Sequence, residues 1–133
     1  MTELEACLVL EHLPGIGWQR CQKLLLHFGS ATAIFKASTS EWESVPGLGE
    51  NACKSLAAWE KVLPKVEKQK LLLARHQVHH LRFGTSEYPL PLSYCSDAPL
   101  LLFYQGLTKF KARKIISIVG TRQNTPHGKA FCE

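Results

Sequence analysis

Leu13-Pro14-Gly15-Ile16-Gly17 and, 32 residues later, Val45-Pro46-Gly47-Leu48-Gly49 are the two stretches from which the fold is read. Both have the form apolar-Pro-Gly-apolar-Gly. The agreement runs on past the turn, since Cys21 falls on Cys53 and Leu24 on Leu56. An internal repeat of this kind organises whatever surrounds it. Its glycines allow positive φ in a tight turn and leave neighbouring amides uncovered. The flanks have helical period. Leu4, Cys7 and Leu8 space an apolar side along Glu3–Glu11. After the first turn Cys21, Leu24, Leu25 and Phe28 recur at intervals of three and four, and Gly29 is placed to close that helix in the left-handed conformation. Ser40-Glu41-Trp42-Glu43 reads as a capping box that opens a short helix into the second turn. Helix, turn and helix, twice over, is a tandem helix-hairpin-helix pattern, expected to make an all-α bundle of residues 1–75.

The uncovered amides of such a turn, with the positive end of the helix that follows, can hold a phosphate oxygen. Gly15, Gly17, Gly47 and Gly49 are therefore candidate phosphate contacts, with Arg20 and Lys23 behind the first turn. The second turn is followed by Glu50 and Asn51, a poorer setting for an anion. Cys21 and Cys53 stand where a small residue lets two helices cross closely, so packing accounts for both. The paired unit resembles that of DNA repair and recombination proteins. A SAM-like bundle that keeps its turns only as scaffold is the competing reading.

Charge is divided along the chain. Residues 1–50 carry three cations and six acids, a net of −3, whereas residues 51–133 carry 13 cations and five acids, a net of +8. A phosphate-rich partner is drawn to the second part. The acidic first part favours the scaffold or protein-docking reading of the hairpins over direct contact with DNA. The five cysteines are scattered, odd in number and without a Cys-x-x-Cys pair, which favours free thiols in a reducing cytoplasm over a disulfide scaffold. Met1-Thr2-Glu3-Leu4-Glu5 lacks the basic region of a signal peptide, and no apolar run is long enough to span a membrane.

From Asn51 the helical period runs to about Arg75, with a break at Pro64 and a restart there as a first-turn residue. Leu71-Leu72-Leu73-Ala74 is expected to be buried helix, and the lysines at 61, 65, 68 and 70 a solvated face. Residues 76–99 read as a strand and an extended connection: Val78–Phe83 is a strand ended by Gly84, Tyr88–Leu92 is extended by its prolines, and Asp97-Ala98-Pro99 turns. His76, His79 and His80 do not make a metal site, since adjacent strand residues face opposite ways and no further ligand stands at metal spacing. No Gly-x-Ser-x-Gly elbow or placed nucleophile is present, so no catalytic residue is assigned.

Leu100–Tyr104 and Ile115–Val119 are apolar enough for strands covered on both faces. Gly120-Thr121-Arg122 follows the second, and Thr125-Pro126 reads as N-cap and first residue of a helix through Gly128 and Lys129. Strand, glycine turn and helix N-terminus open a Rossmann-like parallel sheet, whose ligands sit off the carboxyl ends of its strands. Gly120, Thr121, Arg122, Gly128 and Lys129 are the candidate DNA or phosphate contacts there. The dinucleotide pattern G-x-G-x-x-G is absent, and no cofactor is called for. One strand-helix unit cannot cover both faces of a parallel strand, so residues 100–133 are expected to begin a longer domain. The overall expectation is α/β.

Tandem hairpins, a long helix, Tyr88-Pro89-x-x-Leu92, Asp97–Gly106 (DAPLLLFYQG), Ile118-Val119-Gly120-Thr121-Arg122 and Gly128 together resemble the DNA-processing protein A family, DprA/Smf. The likeness covers the whole chain, as the N-terminal third of such a protein. It implies a SAM-like domain before an extended Rossmann domain, and a cytoplasmic protein that binds and protects incoming single-stranded DNA. It further implies loading of the RecA recombinase in natural transformation, a homodimer through the completed Rossmann domain, Arg122 in a basic DNA pocket, and no catalytic activity. Two other classes stay open: a nucleotide-binding hydrolase or transferase of related fold, and a protein-docking helical module.

Overall fold

A computed structural model describes residues 1–106, 110 and 125–132. Its centre is α1 (Glu3–His12), which Thr2 caps by accepting from Glu5 N at 3.2 Å while the Glu5 carboxylate accepts from Thr2 N at 2.7 Å. Ala6, Cys7, Leu8, Val9 and Leu10 are all fully buried. The expected single apolar side is therefore too narrow: five consecutive buried residues mark a helix enclosed on every side. Burying a leucine such as Leu8 or Leu10 contributes about 1.5–3 kcal/mol.

The other helices join α1 in one core. They are α2 (Trp18–Phe28), closed by Gly29 at φ 79°, α3 (Ala31–Ile34), α4 (Thr39–Glu43), α5 (Glu50–Ala57), a 3-10 turn (Trp59–Val62) and α6 (Leu63–Arg75). Pro64 lies in the first turn of α6, so the break and restart fall where expected. Glu3 also starts α3, accepting from Ala31 N at 2.8 Å, Thr32 N at 3.0 Å and Thr32 Oγ1 at 2.9 Å. Burial pushes its carboxyl up, but these hydrogen bonds and the Arg82 charge outweigh that and hold it below the usual range.

Three sequence expectations need correction. Helix α4 is capped by Ser38, not Ser40: Ser38 N donates to the Glu41 carboxylate at 2.7 Å. Both serines have a glutamate three residues on, and the earlier start is the one that goes with a buried Trp42, whose Nε1 donates to Ile34 O at 2.8 Å. Leu71–Ala74 is helical but not buried, with Leu71 70% and Leu72 45% exposed. Helix α6 docks where Val66 is buried and Lys70 reaches the carboxylates of Glu5 and Glu67. Tyr88–Leu92 is extended only as far as Pro89. Leu90–Ser93 is a helical turn, α7, because Pro91 sits in its first turn, where no backbone donor is needed.

β1 (His79–Arg82) and β2 (Leu101–Tyr104) pair antiparallel, His79 opposite Tyr104 and Arg82 opposite Leu101. Phe83 N donating to Leu100 O at 2.9 Å prolongs the ribbon. Leu100 and Leu101 enter the same core as the leucines of α1, and the Phe83 ring meets Trp18 edge-on at 4.6 Å. The fold is thus mixed helix and sheet. Among the described residues the sheet is this antiparallel pair, and the strand expected at Ile115–Val119 lies outside them. The last element is α8 (Pro126–Cys132), which Thr125 caps as expected, its Oγ1 accepting from Gly128 N at 3.2 Å.

Candidate functional site

The two glycine turns form one site because the repeat is folded back on itself. Gly15 and Gly47 share φ 76°. Ile16 N donates to Leu13 O at 3.2 Å in one copy, and Leu48 N to Val45 O at 3.2 Å in the other. Lys23 and Ser55 occupy the same position of the repeat, and each crosses to the other copy's turn. Ser55 Oγ donates to Pro14 O at 2.7 Å. Lys23 reaches Gly47 so closely that a Cβ built there would stand 2.6 Å from its Nζ. The copies are related as the halves of a two-fold contact, each bracing its counterpart.

This exchange opens a cleft of about 570 Å³ between the turns. Gly17, Arg20 and Lys23 line it from the first copy, and Gly47 from the second. The Arg20 guanidinium donates to Gly15 O and thereby stiffens the first turn. Gly17 precedes α2 without a side-chain cap, which leaves the first-turn amides of Trp18 and Gln19 uncovered at the wall they line. Two cations and uncovered amides in one concavity suit an anion. Gly49 starts α5 beside Glu50, which pairs with Lys54 at 2.6 Å, and it does not line this cleft.

Ser96 and Asp97, in the connection between the strands, also line the cleft. The sequence reading took Asp97 as a turn residue only. Its signal is long-range: it lies 77 positions from Arg20, and nothing local ties the two together. Burial keeps Cys21 and Cys53 in a packing role, at 3% and 4% exposure, with Cys21 pushed up to about 12 and Cys53 also raised. Of the second group of expected contacts, Gly128 and Lys129 lie in α8, whereas Gly120, Thr121 and Arg122 fall outside the described residues.

Comparison with known proteins gives two kinds of match. Residues 79–133 match the family model of DNA recombination-mediator protein A. That stretch is similar to the recombination-mediator family. The resemblance drawn from the DAPLLLFYQG and Ile-Val-Gly-Thr-Arg motifs is borne out over those residues, and the matched family is one of DNA recombination mediators. The chain is also similar to UvrABC system protein C of Acinetobacter baumannii (strain SDF), 46% identical over 48 residues, which are 36% of this chain and 8% of that protein. The corresponding protein of Alcanivorax borkumensis is 40% identical over 50 residues, 38% of this chain and 8% of that one. That of Syntrophotalea carbinolica is 50% identical over 40 residues, 30% of this chain and 6% of its own length. The chain thus spans less than a tenth of these curated relatives. No solved structure matches it. Among the described residues no helix is long and apolar enough to cross a membrane.

Proposed function

We propose that this chain is the N-terminal part of a cytoplasmic protein that binds single-stranded DNA, protects it on entry and loads the RecA recombinase onto it. The observation that carries the reading is the recombination-mediator family match at residues 79–133, which takes in Gly120-Thr121-Arg122 and the helix with Gly128 and Lys129. In this reading residues 1–75 are a SAM-like bundle and residues 100–133 begin a Rossmann-like domain, through which the protein dimerises. Arg122 grips a phosphate by two parallel hydrogen bonds, which a lysine cannot imitate. The hairpin cleft adds a second contact to the strand, through Arg20, Lys23 and the amides beside Gly17.

Fluorescence anisotropy of the full-length protein on labelled single-stranded DNA, over a series of salt concentrations, tests the proposal. Arg122→Ala should weaken binding for all sequences alike and make the salt slope shallower by about one unit. Arg122→Lys should restore part of the affinity. An Arg122→Ala variant that melts like the parent and binds like it removes the reading.

A further inference from the structure

The hairpin cleft holds more than a phosphate needs. Arg20 and Lys23 share it with Ser96 and Asp97, and Trp18 lines it as well. A carboxylate at a phosphate site repels the ligand, and Asp97 has no hydrogen bond or ion pair among the described residues that would neutralise it. It is also held in place. Ala98 beside it is buried, Ala98 N donates to Cys95 O at 3.2 Å, and the Tyr88 hydroxyl donates to Pro99 O at 2.8 Å. An acceptor on a held backbone, in the same cleft as two cations, calls for a ligand that is anionic at one end and rich in donors at the other.

A nucleotide unit of a DNA strand has that polarity. Its phosphate suits the Arg20 and Lys23 wall. Among the four bases guanine alone offers two adjacent donors, N1–H and the N2 amino group, that match the two oxygens of one carboxylate. Adenine and cytosine offer one amino group each, and thymine places a carbonyl on either side of its single donor. In a duplex the guanine edge is already paired. An aromatic wall adds sequence-tolerant stacking of an unpaired base. A cleft of about 570 Å³ lies within the size range of small-ligand sites.

We infer that the cleft between the two hairpins takes one unpaired nucleotide of a DNA strand and prefers guanine, with Asp97 as the residue that reads the base. The inference rests on the reading of this cleft as a contact with the DNA backbone.

The test uses short labelled oligothymidylates carrying a single central dG, dA, dC or deoxyinosine. Affinities are measured in the Arg122→Ala background, so that the contact at Arg122 does not mask that of the cleft. The strand with dG should bind roughly fivefold tighter, or more, than that with dA. Deoxyinosine, which lacks the N2 amino group, should fall between them. Asp97→Asn has nearly the same shape and should remove the dG preference without lowering the melting temperature. Lys23→Ala should weaken all four strands alike. Equal affinity for dG and dA, together with a general loss in Lys23→Ala, overturns the base reading and leaves the backbone contact standing. Unchanged binding in a folded Lys23→Ala variant overturns the backbone contact, and this inference with it. A fully paired duplex that competes as well as the single strand also overturns it.

Discussion

Gly17 and Gly49 allow one term of the fold's energetics to be isolated by mutation. They hold the same position of the repeat, and each is the N-cap of the helix that follows. A Cβ added at either meets no atom within 4 Å. Their backbones differ. Gly17 has φ −83° and ψ 177°, extended backbone that any residue adopts. Gly49 has φ 77° and ψ 152°, a combination left almost entirely to glycine. Replacement by alanine therefore changes unfolded-state freedom and cap preference equally at the two sites, and these contributions cancel in the comparison. What remains is the strain of a Cβ at positive φ, about 1–3 kcal/mol. Gly17→Ala should be close to neutral. Gly49→Ala should lower the urea midpoint by about 0.5–1.5 M, taking a slope of roughly 2 kcal/mol/M for a small domain. Equilibrium urea unfolding by circular dichroism reads both variants in one experiment. A Gly17→Ala variant as unstable as Gly49→Ala refutes the assigned difference between the turns.

Cys21→Ala should cost little where Cys21→Leu overpacks the helix crossing and costs about 1–3 kcal/mol, read by the same urea titration. The hydrogen bond from Lys70 holds the Glu5 carboxyl at about 2, below its ordinary value of 4.5. A depressed carboxylate stabilises the fold above its unfolded value and loses that contribution as pH falls toward its folded one. Glu5→Gln should thus flatten the loss of stability between pH 4.5 and about 2 and cost about 0.5–1 kcal/mol at neutral pH, measured by thermal melts across that range. Cys95 is exposed, whereas burial pushes the Cys7 and Cys21 thiols up to about 12. Iodoacetamide labelling mapped by mass spectrometry should modify Cys95 under native conditions and reach Cys7 and Cys21 only after unfolding.

The turns were legible because their chemistry is local. Pro-Gly-apolar-Gly states a backbone conformation in five residues, and the 32-residue recurrence states it twice. The Gly29 cap, the restart at Pro64 and the Thr125 cap were readable for the same reason. The misread elements depended on what came to lie against them. Leu71 and Leu72 look buried by composition, yet α6 is anchored through Val66 and turns those leucines outward. Helix α1 looks one-sided, yet the chain surrounds it. The two prolines of Tyr88–Leu92 argue for extension, but a single helical turn needs few backbone donors and tolerates Pro91. Half of the cleft was equally hidden. Arg20 and Lys23 announce themselves beside a glycine turn, but Ser96 and Asp97 come to the same cleft from the connection between two strands whose ribbon packs on Trp18 through Phe83.

That packing limits how far the repeat can be treated as a transferable part. Leu100, Leu101 and Phe83 give the helical core one of its faces, and the Arg82 guanidinium lies 3.8 Å from the Glu3 carboxylate that starts α3. A chimaera built from the tandem hairpins alone would leave that face bare to water and prone to self-association. Grafting the hairpins onto another protein therefore calls for carrying the ribbon along, or for recoating the surface at Trp18 with polar side chains. The same seam joins the two cations of the cleft to its carboxylate, so a graft that drops the ribbon would keep the grip on the anion and discard the carboxylate.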